Sequence, residues 1–215
     1  MNNPYLINNN EFLLKHLSFI IIYITLVYFL SLQACSCPSC GSDENLVLIP
    51  DSIIAKADSF IISKTGEDFF KQYFQIDLQK SNFRDPYFHV YYNFRMLNPD
   101  FVDEVAHFYM DRNGNVIDTT GNTGIPDCLI NPLDCSFYIN ESDARKIAED
   151  EGLPAGIKDW LISFRWSSEL HRYIWHIIST DREIGEGDFY RAAGKEVMIN
   201  PSNGEVLKFR RWDIK

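Results

Sequence analysis

The sequence predicts an α+β fold built from two helix-plus-antiparallel-sheet modules behind an N-terminal export segment. Three observations predict it. Apolar side chains recur at helical spacing from residue 51, and near residue 87 the period drops to two. The same order, a short helix and then alternating strands, returns after residue 140. Between the two lies a stretch, 119–135, dense in Gly, Pro, Asn and Asp. The chain has 215 residues, 46% of them apolar, which is enough for a packed core. Its formal net charge of −10 disfavours nonspecific binding to nucleic acid or to anionic lipid.

Residues 17–32 read LSFIIIYITLVYFLSL, an apolar run of 16 residues behind Lys15 and His16. A free-standing membrane helix needs about 20 such residues, so the run fits an export signal. The next residues, Leu32-Gln33-Ala34-Cys35, resemble the lipobox of bacterial lipoproteins: aliphatic at −3, small at −1 and Cys at +1. Gln33 departs from the residue usual at −2. The resemblance implies cleavage before Cys35 and acylation of that residue. Each buried CH2 of the acyl chains adds about 0.8 kcal/mol of membrane affinity. An uncleaved anchor and ordinary secretion are the competing readings.

Five cysteines are an odd number. Lipidation of Cys35 leaves Cys37, Cys40, Cys128 and Cys135, which allow three pairings in an oxidising compartment. Cys128 and Cys135 sit in DCLINPLDC at a spacing a loop can close, and Cys37 and Cys40 form CPSC. We expect 128–135 and, beside it, 37–40. A thiolate metal site from Cys35, Cys37 and Cys40 would need a fourth ligand and an unlipidated Cys35. A redox role for CPSC lacks a following helix.

Residues 35–50 read as a tether. Asp51 or Ser52 can cap a helix carrying Ile53, Ile54, Ala57, Phe60 and Ile61, interrupted at 63–66, and GEDFFKQYF suggests further helical turns with Phe69, Phe70 and Phe74 inward. YFHVYYNFRM then alternates, and VDEVAHFYMD is the next strand. Asn113-Gly114 marks a hairpin, because Gly tolerates positive φ. In the second half Asn140 or Ser142 caps ESDARKIAEDEGL, which Gly152 and Pro154 end. WLISFRW and HRYIWHII are strands, GEGDFYRAAGK a turn-rich connection, and EVMINPSNGEVLKFRRW a closing hairpin around Asn203-Gly204. The predicted division is a signal at 1–34, a tether at 35–50, modules at 51–121 and 140–215, and a disulfide-containing linker at 122–139. Each module is small enough that its own core would be marginal, so the two sheets should pack together or pair at their edges. Residues 35–135 hold 15 acids and 7 bases, and residues 136–215 hold 14 and 12, so the first half carries most of the charge.

The second half resembles a PepSY domain, whose pattern is a helix of the type ARKIAEDEG, two strands and then V-x-I-x-P-x-x-G-E-V-L. Residues 144–152, 160–166, 173–178 and 197–207 occupy those places. The first half resembles a divergent copy through FFKQYF, YFHVYYNF and DRNGNVI. The family occurs in exported propeptides of metallopeptidases and in envelope proteins, where it is thought to bind or restrain peptidases. The resemblance implies a binding or regulatory part without catalysis, cofactor or metal, held at the cell envelope, on the outer membrane, by its N-terminal lipid, with an envelope protein or peptidase as partner and no nucleic acid. The alternative is a lipoprotein that binds a small ligand or a toxin in a curved-sheet pocket.

No motif for hydrolysis, phosphate binding or zinc is present. His171 and His176 are five apart, which on one strand puts them on opposite faces. His89 and His107 fall on neighbouring strands and can meet as a sheet-surface pair. Asp103 and Glu104 read as a solvated strand edge. The candidate partner surface is cationic and aromatic: Arg165, Arg172, Trp175 and Arg210, with Trp166, Lys208, Arg211 and Trp212 beside them. Arg stems covering apolar strand surface are the plainer account. Intact-mass measurement should show loss of 34 residues and addition of acyl chains at Cys35. Retention of Met1, or a bare Cys35, would refute the lipoprotein reading.

Overall fold

The computed structural model describes residues 49–117 and 122–214. The apolar run at 17–32, residues 35–48 of the expected tether and the expected roles of Cys35, Cys37 and Cys40 lie outside the described residues, while Ile49, at the tether's end, is buried in the core. No helix among the described residues is long and apolar enough to cross a membrane.

The described chain is α+β, with three α-helices and two antiparallel sheets. Helix α1 (Asp51–Thr65) buries Ile53, Ala57, Ile61 and Thr65, one stripe at four-residue spacing. It begins one residue earlier than a cap at Asp51 would place it. Pro50 stands at the cap and its carbonyl accepts from the N–H groups of Ile53 and Ile54. The break expected over 63–66 reduces to Gly66 alone, whose φ of 85° turns the chain directly into α2 (Glu67–Tyr73).

The first sheet has two short strands that periodicity missed. Strands β1 (Phe74–Ile76) and β2 (Asn82–Arg84) both pair with β3 (Tyr87–Arg95), Phe74 opposite Phe94 and Phe83 opposite Phe88. Three residues are too few to display a period of two. β4 (Asp103–Met110) and β5 (Val116–Ile117) complete the sheet, and the reversal between them places Gly114 at φ 79°. The inner face carries Phe88, Val90, Tyr92, Phe94, Ala106, Phe108 and Met110, all buried. The helices cover this face: Phe60 meets Phe108 at 5.0 Å and Phe70 meets Tyr92 at 6.2 Å between ring centroids. The Tyr92 hydroxyl donates to Asp58 at 2.6 Å.

Helix α3 (Glu141–Asp150) opens on a reciprocal cap, in which Asn140 accepts from the N–H of Asp143 and the Asp143 side chain accepts from that of Asn140. Strands β6 (Leu161–Ser167), β7 (Arg172–Ile184), β8 (Arg191–Ile199) and β9 (Val206–Ile214) form a meander. β7 extends six residues past the predicted end at residue 178, and β8 takes in Arg191–Lys195, which the sequence assigned to a connection. Neither stretch shows apolar alternation; cross-strand pairing holds both. His171 stands in the turn before β7 with φ 51°, so the strand expected from it begins one residue later.

The two inner faces share one aromatic core. Tyr173 stacks on Phe164 at 5.2 Å and lies 5.3 Å from Phe94 of the first sheet, while Phe101 sits 5.0 Å from Trp175. The connecting loop is tied to both halves. Cys128 and Cys135 are disulfide-bonded. Lys64 of α1 pairs with Asp127 at 2.7 Å, Arg172 with Asp134 at 3.4 Å, and Ser202 donates to the Leu133 carbonyl. Since all four tryptophans lie between residues 160 and 212, a shared core is testable from the other sheet. Phe94→Ala should cost about 3–5 kcal/mol and move the urea midpoint read by tryptophan fluorescence as far as the midpoint read by far-UV circular dichroism. A shift confined to the dichroism would indicate separate cores.

Candidate functional site

Strand alternation assigns the faces of the second sheet. Phe164, Tyr173, Trp175 and Ile177 point into the core. The opposite face is built from cross-strand rungs: Leu161–Ile178–Glu196–Arg210, Ser163–His176–Met198–Lys208, and Thr180–Gly194–Trp212. The predicted surface divides along this parity. Trp175 is 3% exposed, and its indole donates to the Ile139 carbonyl at 2.7 Å, so it offers nothing to a partner. The cause is the odd spacing from Arg172, which forbids both from facing outward on one strand. Arg165 is exposed on β6 opposite Ile174. Arg172 is engaged with Asp134.

Arg210 belongs to a network on the outer face. Its Nε donates to Glu196 at 2.5 Å and its Nη1 lies 3.3 Å from Glu169, which also pairs with Lys208. The other Glu196 oxygen meets His176 Nε2 at 2.7 Å, and both of these groups are buried. Burial opposes ionisation of Glu196, but hydrogen bonds from Arg210 and His176 outweigh it and hold the carboxyl below its usual range. Burial also lowers the His176 imidazole, against the pull of Glu196. The pair is therefore a neutral imidazole donating to a carboxylate. The positive charge expected at Arg172, Lys208 and Arg210 is compensated by acids of the same chain.

Beyond the network the same face opens into a groove of about 500 Å3. Trp160, Leu161, Ile178, Tyr190, Trp212 and Ile214 supply its apolar lining. The Trp212 indole N–H is shared between the carbonyls of Ser179 and Lys195, each at 3.2 Å. Its rung partner has to be glycine, because a Cβ on Gly194 would stand 1.9 Å from the Ser179 carbonyl oxygen. Trp160 is fixed by donation to the Pro154 carbonyl at 2.7 Å. Leu161 and Ile214 remain 64% and 49% exposed. Sequence reading singled out Trp212 but not Tyr190 or Ile214. The only signal available was that KFRRWDI alternates around an aromatic.

On the first sheet His89 and His107 do meet, with Nε2 and Nδ1 3.1 Å apart. His89 is 5% exposed, its ring stacked on Tyr109 and its Nδ1 3.1 Å from the Tyr91 hydroxyl. Among the described residues no group of three or more His, Cys, Asp and Glu side chains is placed to hold a metal ion. Of the acidic pair, Asp103 is exposed and paired with Arg95 at 2.8 Å. Glu104 is half-buried, and burial together with the charge of Asp103 pushes its carboxyl up to about 7, against the pull of Arg165. It is not a solvated edge residue, because its parity is that of Ala106 and Phe108, on the inner face.

No family model matches the chain, and neither a curated protein nor a solved structure is significantly similar to it.

Burial, reinforced by the charges of His107 and Arg84, lowers His89 from 6.5 to about 4. Between those values the unfolded chain binds the extra proton and the folded chain does not, so stability falls as the pH is lowered through that window. His107 and His176 are lowered too and act in the same direction. Glu104, raised to about 7, takes up its proton in the folded chain between pH 7 and 4.5 and opposes this, so the variants are compared: from pH 7 to pH 4 the urea midpoint of His89→Phe should fall less, or rise more, than that of the native chain. An unchanged slope in that variant would remove His89 as a cause.

Proposed function

We propose that this chain is a lipid-anchored protein of the cell envelope that holds a protein partner on its second sheet and carries out no catalysis of its own. Three sequence features support the reading. Leu32-Gln33-Ala34-Cys35 provides an acylation point next to an export signal. Residues 144–152 and 197–207 carry the PepSY-like pattern. The first of these segments lies largely in α3, and the second runs from the end of β8 into β9. The first half is a divergent second copy in this reading, and the partner is a peptidase or another envelope protein that the module restrains.

The observation that carries the reading is the groove. A monomeric domain has little reason to display two tryptophans, a tyrosine and three aliphatic side chains around one open depression, whereas the centre of a protein interface is enriched in aromatic residues. Most of the groove lies on the face opposite the core, with Trp160 at its edge packed against the core.

Affinity capture from envelope extracts, using the full chain, tests this. The expected result is recovery of a peptidase or other envelope protein. The double variant Leu161→Asn/Ile214→Asn should reduce its recovery at least tenfold while leaving the thermal midpoint of the chain in place, since both side chains are exposed. Equal recovery by the variant would remove the groove as the binding face. Recovery of no protein would count against the whole reading.

A further inference from the structure

The groove has one charge that the chain leaves uncompensated. Among its lining groups Lys158 is paired with Glu183 at 2.5 Å, and Glu196 with Arg210 and His176 at 2.5 and 2.7 Å. Asp159 is exposed and lines the same groove, and among the described residues it has no hydrogen-bond or ion-pair partner. The next residue, Trp160, already carries the Arg145 guanidinium 5.7 Å from its ring centroid, which leaves Tyr190 and Trp212 as the ring faces the chain has not filled with a cation. Aromatic faces attract organic cations through their quadrupole, and a free carboxylate beside them adds to that preference. The chemistry of the groove therefore selects a cation attached to an apolar body.

The shape argues for a chain in place of a small molecule. Pockets for small ligands bury about 70–90% of the ligand surface, whereas this depression stays open on the sheet face and leaves Leu161 and Ile214 largely exposed. Its lining runs from β6 to β9. Three strand spacings of about 4.8 Å make roughly 14 Å, a length that four extended residues cover.

We propose that the groove binds an extended basic segment of the protein partner, one Lys or Arg side chain lying against the rings of Tyr190 and Trp212 with its charge toward Asp159. This rests on the binding role proposed above and names the partner's chemistry. The arginines of the cationic surface expected from sequence take no part in this contact. Those on this face are Arg165, which is exposed, Arg172, held by Asp134, and Arg210, held by Glu196 and Glu169.

The full chain in detergent is titrated with two acetylated, amidated hexapeptides, Val-Lys-Val-Lys-Val-Lys and Val-Glu-Val-Glu-Val-Glu, followed by tryptophan fluorescence. The basic peptide should bind at least tenfold more tightly than the acidic one. Added salt should weaken it, and Asp159→Lys should abolish the preference. Asp159→Asn serves as the milder variant and should reduce the preference without reversing the charge. Equal affinity for the two peptides, or a preference that survives Asp159→Lys, overturns the inference. So does competition by n-butylamine at the same concentration of amine, which would mean that the site takes free cations. A chain that captures its partner through Leu161 and Ile214 yet shows no charge preference refutes this inference alone. Loss of groove-dependent capture refutes the binding role itself.

Discussion

The contact between Phe94 and the stacked pair Tyr173 and Phe164 is what the rest of the molecule depends on. Phe94 belongs to the first sheet and the other two to the second, and all three are buried. Neither half has enough apolar surface to stand alone comfortably at its size. Joining two inner faces through aromatic rings gives each half the core it lacks, and ring pairs at these separations add to the area they bury. The linker follows from this arrangement. The Tyr173 hydroxyl donates to the Gly124 carbonyl at 2.9 Å, so a buried ring of the seam also holds the chain that connects the halves. The disulfide then closes the exposed part of that connection over seven residues.

With the inner faces committed to the core, the outer faces are the open surfaces of the sheets, and the two differ. On the first sheet the middle of the outer face is filled by its own side chains: His89 lies on Tyr109 and meets His107. On the second sheet the outer face is divided. One part is occupied by the His176–Glu196–Arg210 network, where a buried carboxylate is satisfied from both sides. The other part is the groove, opened where Gly194 brings no side chain to the rung and Trp212 lies over the adjoining carbonyls. The same rung therefore provides the groove with an aromatic wall held by hydrogen bonds from its indole.

Long elements were legible where their periodicity was strong. The stripe of Ile53, Ala57 and Ile61, the alternation from Phe88 to Phe94, the Asn140 cap and the two Asn-Gly turns are local signals with local causes, and each appears in the structure. The strands β1 and β2 and the second half of β7 were not legible, because a neighbouring strand supplies their hydrogen bonds and their own sequence carries no period. The candidate surface shows the same division. Types such as Arg and Trp could be singled out along the chain, but their value depends on partners far away. Arg210 is neutralised by Glu169 and Glu196, at separations of 41 and 14 residues, and Trp175 is turned inward by parity.

The sequence by itself determined the α+β class, the Asn140 helix cap, the two Asn-Gly turns and the place of the 128–135 loop, because these depend on neighbours within a few positions. The pairing of Cys128 with Cys135 belongs here too, since a short loop brings the two sulfurs together. Only the tertiary structure decided that two half-sized modules share one aromatic core, which charges are compensated, and which residues line an open groove. Those outcomes depend on groups brought together across the fold, such as Asp159 and Trp160 beside Ile214, and nothing in the local pattern of either segment records that they will be neighbours.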